Sequence, residues 1–242
     1  MQKASANLIK DLKKQKRSNT NLLFLDNPKI IIDAVNAGHK IKLALTTNEN
    51  KLPIKVNEIY LTDYQTIEAL SDVKTPQGVC VVLEYIQHIA KPPQTNFLVL
   101  DGLQDPGNVG TLIRTAMASG FNDIYLIESV KETNSKMIRS TAGACFNVNL
   151  YSMTRAEFIS KAQEWNLHLI KADMNGKSIF EYNPSEMVGV VVGNEGNGVS
   201  SEVSSICKDV VKIPMKEGIE SLNAGVSGAI IMYEINKNNF RR

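Results

Sequence analysis

From residue 97 onward, apolar residues come in short unbroken runs separated by amphipathic stretches. The run 97–100 holds no polar position, the pattern of a parallel strand buried on both faces. Beyond it Val109, Leu112, Ile113, Ala116 and Met117 recur at helical spacing, the apolar stripe of an amphipathic helix. Gly120 follows as its stop. The same reading predicts strands over 124–127, 146–150, 167–172, 188–192 and 210–213. It predicts helices over 135–142, 155–165 and 203–207, and a last one carrying Val226, Ala229, Ile230 and Tyr233. Strand and helix in alternation predict a parallel sheet with helices on both faces.

Residues 1–88 show a different rhythm. The pattern predicts helices over 5–17, 29–37 and 65–70, with Gly38 closing the second. Strands are predicted over 22–25, 41–46, 59–61 and 79–85. These short alternating elements make a small α/β domain. Two prolines, Pro92 and Pro93, stand among polar neighbours and mark 89–96 as a semi-rigid linker. Residues 97–242 then form a second, larger α/β domain.

Composition changes this picture little. At 43% hydrophobic and 21% charged over 242 residues, the chain reads as a soluble globular protein. No apolar run reaches the length of a membrane span, and no apolar signal segment follows Met1. The three cysteines, Cys80, Cys145 and Cys207, are widely separated, so neither a disulfide framework nor a metal site is expected. A cytoplasmic location is expected. The net charge of +2 argues for no global basic field, but Lys10, Lys13, Lys14, Lys16 and Arg17 crowd the first helix. That run reads either as a solvated helix face or as a phosphate-binding surface.

Three loops carry candidate chemistry, and each follows a buried strand. The first opens a helix with Asn108-Val109-Gly110 and places Arg114 off the apolar stripe; Asn108 is read as the N-cap. The second is Gly193-Asn194-Glu195-Gly196-Asn197-Gly198. Three glycines and a single acid suit a backbone that approaches a ligand. Their spacing differs from the dinucleotide fingerprint, and no phosphate-loop motif occurs anywhere. The third runs from Ile213-Pro214-Met215 to Ser221-Leu222-Asn223 before the last helix, which Ser221 or Asn223 is expected to cap. If the strands are neighbours in one parallel sheet, all three loops meet at its carboxyl edge. Arg114, Glu195 and Asn223 would then surround one pocket.

In this order, Asn-x-Gly-x-x-x-Arg-Thr-Ala, Gly-Asn-Glu-Gly-x-Gly and Ile-Pro-Met…Ser-Leu-Asn resemble the three motifs of the SpoU (TrmH) class of RNA ribose 2′-O-methyltransferases. The resemblance covers the chain from about residue 97 to its end. It implies a SPOUT-type α/β fold with a C-terminal trefoil knot. It also implies S-adenosylmethionine as the cofactor, held by Gly193, Asn194, Gly196, Ile213, Met215, Leu222 and Asn223. The catalytic residues it implies are Asn108, Arg114, Glu195, Ser221 and Asn223. Homodimers are implied as well, with the site near the interface. The expected partner is RNA, ribosomal first and transfer RNA as the alternative. The first domain resembles the family's substrate-binding domain. Lys10, Lys13, Lys14, Lys16 and Arg17 on its first helix, and Arg114 in the second domain, are the residues expected to meet RNA. A guanidinium stays charged near neutral pH, so Arg114 is expected to grip the target phosphate rather than act as a base. Glu195 is expected to orient it. The competing readings are an RNA-binding or ribosome-assembly protein without catalysis and a nucleotide-dependent enzyme on a Rossmann-type sheet. The intact Arg114, Glu195 and Asn223 oppose the former, and the glycine spacing opposes the latter.

Overall fold

The computed structural model describes residues 2–18, 21–48, 51–219 and 221–240. It divides into two compact units, 1–87 with 133–146 and 88–132 with 147–242.

The first unit begins with β1 (Gln2–Lys3), α1 (Ala6–Arg17), β2 (Leu22–Leu25) and α2 (Pro28–Asn36). It continues with β3 (Lys40–Thr46), β4 (Ile59–Leu61), α3 (Tyr64–Leu70) and β5 (Val79–Glu84). The strands form one mixed sheet in the order β1-β4-β3-β5-β2. In it β5 runs antiparallel to both neighbours, while β1, β4 and β3 are parallel. Each helix starts where a side chain satisfies a free N–H. Ser5 Oγ accepts from Leu8, Asn27 Oδ1 from Lys29 and Ile30, and Asp63 Oδ1 from Thr66. Pro28 follows its cap at the first helical position, where its missing donor costs nothing. Leu12, Leu43, Leu45, Ile67, Leu70, Cys80 and Val82 close the core.

The second unit contains β6 (Phe97–Asp101), α4 (Pro106–Ser119) and β7 (Asp123–Ile127). The chain next supplies α5 (Ser135–Ser140) to the first unit. It returns to the second as β8 (Asn149–Met153), α6 (Arg155–Glu164), β9 (Leu169–Ser178) and β10 (Gly189–Gly193). The last elements are α7 (Ser201–Ser204), β11 (Asp209–Lys212) and α8 (Ala224–Ile235). All six strands are parallel, in the order β11-β9-β10-β6-β7-β8. Phe97, Val99, Tyr125, Tyr151, Phe158 and Val203 are among the residues that pack the core on one face. On the other, α8 lies close to α4: a Cβ at Gly228 would stand 2.3 Å from Leu112 Cδ2. Only glycine permits that approach.

Several expectations change. The second domain is not continuous, because α5 buries Met137 and Ile138 and Arg139 pairs with Asp72 at 3.5 Å inside the first unit. The strand expected over 146–150 begins at Asn149, since Phe146 closes a 3₁₀ turn and packs on His39 at 5.2 Å. The stretch 89–96 runs along the second unit, where Tyr125 donates to the Lys91 carbonyl at 2.7 Å. Asn96 accepts there from Val188 N–H at 2.8 Å. The strand β1 has no sequence signal, being two residues long.

Candidate active site

The three loops meet at the carboxyl edge of the second unit's sheet. Helix α4 is capped by Asp105, not Asn108: Asp105 Oδ2 accepts from Asn108 N–H at 2.9 Å, with Pro106 next in the chain. Asn108 therefore has its side chain free. Its Nδ2 donates to Glu195 Oε1 at 2.8 Å, and its Oδ1 accepts from Asn223 Nδ2 at 2.9 Å. Asn223 in turn caps α8, its Oδ1 accepting from Gly225 and Val226 N–H. Ser221 caps nothing.

The glycine-rich loop is tightly closed. Asn194 and Gly198 exchange backbone hydrogen bonds at 2.9 and 2.8 Å. Asn194 Oδ1 accepts from Gly196 and Asn197 N–H, and its Nδ2 donates to the Gly102 carbonyl at 3.0 Å. A Cβ at Gly193 would lie 2.1 Å from the Gly198 carbonyl carbon.

A cavity of about 600 Å³ opens beside this loop. Gly193, Asn194 and Glu195 form one wall, and Ser221, Leu222 and Asn223 another. A third wall was not foreseen: Ala172, Asp173, Met174 and Asn175 on β9. Ile213 and Met215 line a smaller adjoining cavity of about 150 Å³ with Ser221 and Leu222. The size and the mix of apolar and polar walls suit a cofactor-sized ligand. Gly196 lines neither cavity and is exposed.

Arg114 stands apart. It is exposed on α4, and its side chain has no hydrogen bond or ion pair among the described residues. Among the described residues Arg114 does not donate to Glu195, whose Oε1 accepts from Asn108. Arg114 lies six residues further along the helix, roughly 9 Å of axial rise. In the first unit, Lys10, Lys14 and Arg17 are exposed and Lys13 half-buried. Lys16 differs. Its ammonium pairs with Asp72 at 2.9 Å and donates to the Ser71 carbonyl at 2.8 Å.

Sequence reading also missed a charge network behind the loop. Asp101 is fully buried at the end of β6 and pairs with Arg155. Burial alone would lower the Arg155 pKa, but the hydrogen bond and charge of Asp101, helped by Glu128, raise it above its ordinary value. An acid directly after an apolar run was the available signal. Among the described residues, no group of three His, Cys, Asp or Glu is placed to hold a metal. No described helix is long and apolar enough to cross a membrane.

The chain is similar to the 23S rRNA (guanosine(2553)-2′-O)-methyltransferase RlmP of Bacillus subtilis, with 26% identity over 94% of this chain and 95% of that protein. It is 27% identical to the 23S rRNA (guanosine-2′-O-)-methyltransferase RlmB of Neisseria meningitidis, over 88% and 90% of the two chains. Its fold matches that of an AdoMet-bound rRNA methyltransferase from Sinorhizobium meliloti, with TM-score 0.84, 22% identity and coverage of 100% and 98%. A family model described as the SpoU rRNA Methylase family matches residues 95–233, more than half of the sequence, and the chain belongs to that family.

Proposed function

We propose that this chain transfers a methyl group from S-adenosylmethionine to a ribose 2′-hydroxyl of ribosomal RNA. The observation that carries this reading is the hydrogen-bonded series Glu195–Asn108–Asn223, which ties three separate loops together beside a 600 Å³ cavity. Both relatives are named for guanosines of 23S rRNA, so 23S rRNA is the first substrate to test.

The residues present fit the cofactor. Val192, Val199 and Leu222 offer apolar surface, and Asp173 and Asn194 offer polar groups. Gly193 leaves the loop room to close. When bound, S-adenosylmethionine supplies an electrophilic methyl on a sulfonium. The chain's own task is alignment, which can be worth roughly 7 kcal/mol or more. Asn108 and Asn223 fix the loops in place. Arg114, exposed and with no side-chain partner among the described residues, is available to hold the RNA phosphate beside the target ribose.

The first unit is assigned to RNA binding through Lys10, Lys13, Lys14 and Arg17, because phosphate contacts need free cations. Lys16 is left out, since its charge is already paired. A homodimer is assigned to the face of α8. Val226 and Tyr233, two turns apart on that helix, are 47% and 46% exposed, and Phe240 stacks on Tyr233 at 5.6 Å. Exposed apolar side chains in one stripe suit a self-complementary contact. A C-terminal knot is supported by the topology. The strand β11 lies at the sheet edge beside β9, whereas α8 packs on α4 and β10. The chain therefore passes back across the sheet, where Ser221, Leu222 and Asn223 share a cavity with Gly193, Asn194, Glu195 and Gly198.

Methyl transfer from labelled S-adenosylmethionine to ribosomal RNA from cells lacking the gene is the test. The product should be one 2′-O-methylated nucleotide, absent from those cells and restored by the purified chain. Failure to methylate any ribosomal RNA would end this reading.

A further inference from the structure

The glycine-rich loop is held at both ends by two consecutive residues, Asp101 and Gly102. At one end Asn194 Nδ2 donates to the Gly102 carbonyl at 3.0 Å. At the other, Asp101 Oδ2 accepts from the Ser200 N–H at 2.7 Å. Ser200 is also the N-cap of α7, where the loop ends. The Asp101 side chain has no exposure. A buried carboxylate is unfavourable unless a cation and hydrogen bonds compensate it.

Arg155 is that cation. Its Nε donates to Asp101 Oδ1 at 3.0 Å and its Nη1 to Glu128 Oε2 at 2.5 Å. It comes from the first position of α6, fixed there by a capping box in which Thr154 and Glu157 satisfy each other's backbone. Its second terminal nitrogen lies over Gly102, 3.3 Å from where a Cβ would stand. Arg155 itself is not in the wall of the cavity, and its polar partners are Asp101 and Glu128.

The geometry points to Arg155 as a positioning residue for the cofactor loop: it holds Asp101 in place, and Asp101 sets the Gly193–Ser200 loop that walls the cavity. This inference rests on the S-adenosylmethionine site proposed above. Its content beyond a stabilising ion pair is that ligand affinity depends on a residue that does not touch the ligand.

The test is calorimetric titration of S-adenosylmethionine into the full-length chain, at a temperature where circular dichroism shows each variant folded. Arg155→Ala should weaken binding at least tenfold. Arg155→Lys should recover only part, because an ammonium lacks the fork that reaches Asp101 and Glu128 together. Combining Asp101→Asn with Arg155→Gln should bind better than Arg155→Gln alone. An amide at 101 still accepts from Ser200 and needs no cation. In turnover assays KM for S-adenosylmethionine should rise while kcat at saturation changes within a few-fold. Should Arg155→Ala fail to fold, Arg155→Lys decides. Binding by a folded Arg155→Ala or Arg155→Lys within twofold of wild type, even with a lowered melting temperature, overturns the inference and leaves only a structural ion pair. A wild-type chain that binds no S-adenosylmethionine overturns both this inference and the function beneath it.

Discussion

Asn223 donates to Asn108 at 2.9 Å across 115 residues of chain, and the direction of that bond is fixed from both ends. A carboxylate only accepts, so Asn108 must turn its amide nitrogen toward Glu195. The first turn of α8 only donates, so Asn223 must turn its oxygen toward Gly225 and Val226. One orientation of each amide satisfies every contact.

Asn223→Asp separates the two duties of that side chain. Aspartate caps a helix as well as asparagine does, but it cannot donate to Asn108. Thermal stability should stay near wild type while methyl transfer falls about tenfold, the value of one lost hydrogen bond of ~1.4 kcal/mol. Asn223→Ala loses the cap as well, and urea unfolding should show a further loss of ~1 kcal/mol. Equal turnover by Asn223→Asp and wild type would remove the bond from the mechanism.

Gly193→Ala should be worse than its single methyl suggests. The new Cβ would meet backbone, the Gly198 carbonyl carbon at 2.1 Å and Val199 N at 2.2 Å, and backbone cannot rotate aside. The paired hydrogen bonds between Asn194 and Gly198 must then open. Stability should fall by ~1–3 kcal/mol, and calorimetry should find no cofactor binding. Wild-type affinity in this variant would place the cofactor elsewhere.

Changing Lys10, Lys13, Lys14 and Arg17 together to alanine should weaken RNA binding and flatten its dependence on salt, since each lost phosphate contact removes about one unit of slope. Lys16→Ala should behave differently. It breaks the pair with Asp72 and the bond to Ser71, so it should lower stability and leave the salt slope unchanged. Filter binding at several salt concentrations distinguishes the two. A slope altered by Lys16→Ala alone would contradict the assignment.

The amino edge of the second unit's sheet predicts a pH effect. His168 lies 2.5 Å from Glu186 and 2.8 Å from Asp209, and Tyr182 donates to Asp209 at 2.9 Å. The hydrogen bond with His168 is the chief cause holding both carboxyls below their ordinary range. A depressed carboxyl contributes stability that is present above its unfolded value and is lost as pH falls through its folded value. The stability gap between wild type and His168→Ala should therefore narrow as pH drops below about 4. Urea unfolding from pH 5 to pH 3 reads it out, and a constant gap would show that His168 acts by packing alone.

The centre of the sheet was legible because β6 and β10 are apolar on both faces: 97–100 and 188–192 allow no helical reading once bounded by polar loops. The three loops were legible from their glycines and their position after strands. The cap of α4 was misread, although Asp105-Pro106 carries the ordinary signature of a cap followed by proline. That error hid why Asn108 has a free side chain. The assignment of 133–146 to the first unit depends on long-range packing, such as Phe146 on His39, which no local period encodes. The same holds for β9. Its outer half is polar, and pairing with β11 past a bulge carries it as far as Ser178. The third wall of the cavity, formed by 172–175, was therefore invisible.

Arg114 carries the last prediction. It lies off the stripe of Val109, Leu112, Ile113 and Ala116, all fully buried, and is itself exposed. Arg114→Ala should not unfold the chain. It lines neither cavity, so S-adenosylmethionine affinity should be nearly unchanged. Methyl transfer should nevertheless be lost, because Arg114 is the one cation on α4. Arg114→Lys distinguishes two kinds of action. If a positive charge is enough, lysine restores part of the rate. If a planar fork must seat two phosphate oxygens, a point charge on a flexible stem does not replace it. Lysine should be nearly as poor as alanine, with a loss on the order of a hundredfold, as for removal of a transition-state donor. Single-turnover kinetics with saturating RNA separate this loss from weakened RNA binding. Near-native turnover by Arg114→Ala on its RNA substrate would exclude Arg114 from the reaction and move the search for the phosphate-binding group to another helix.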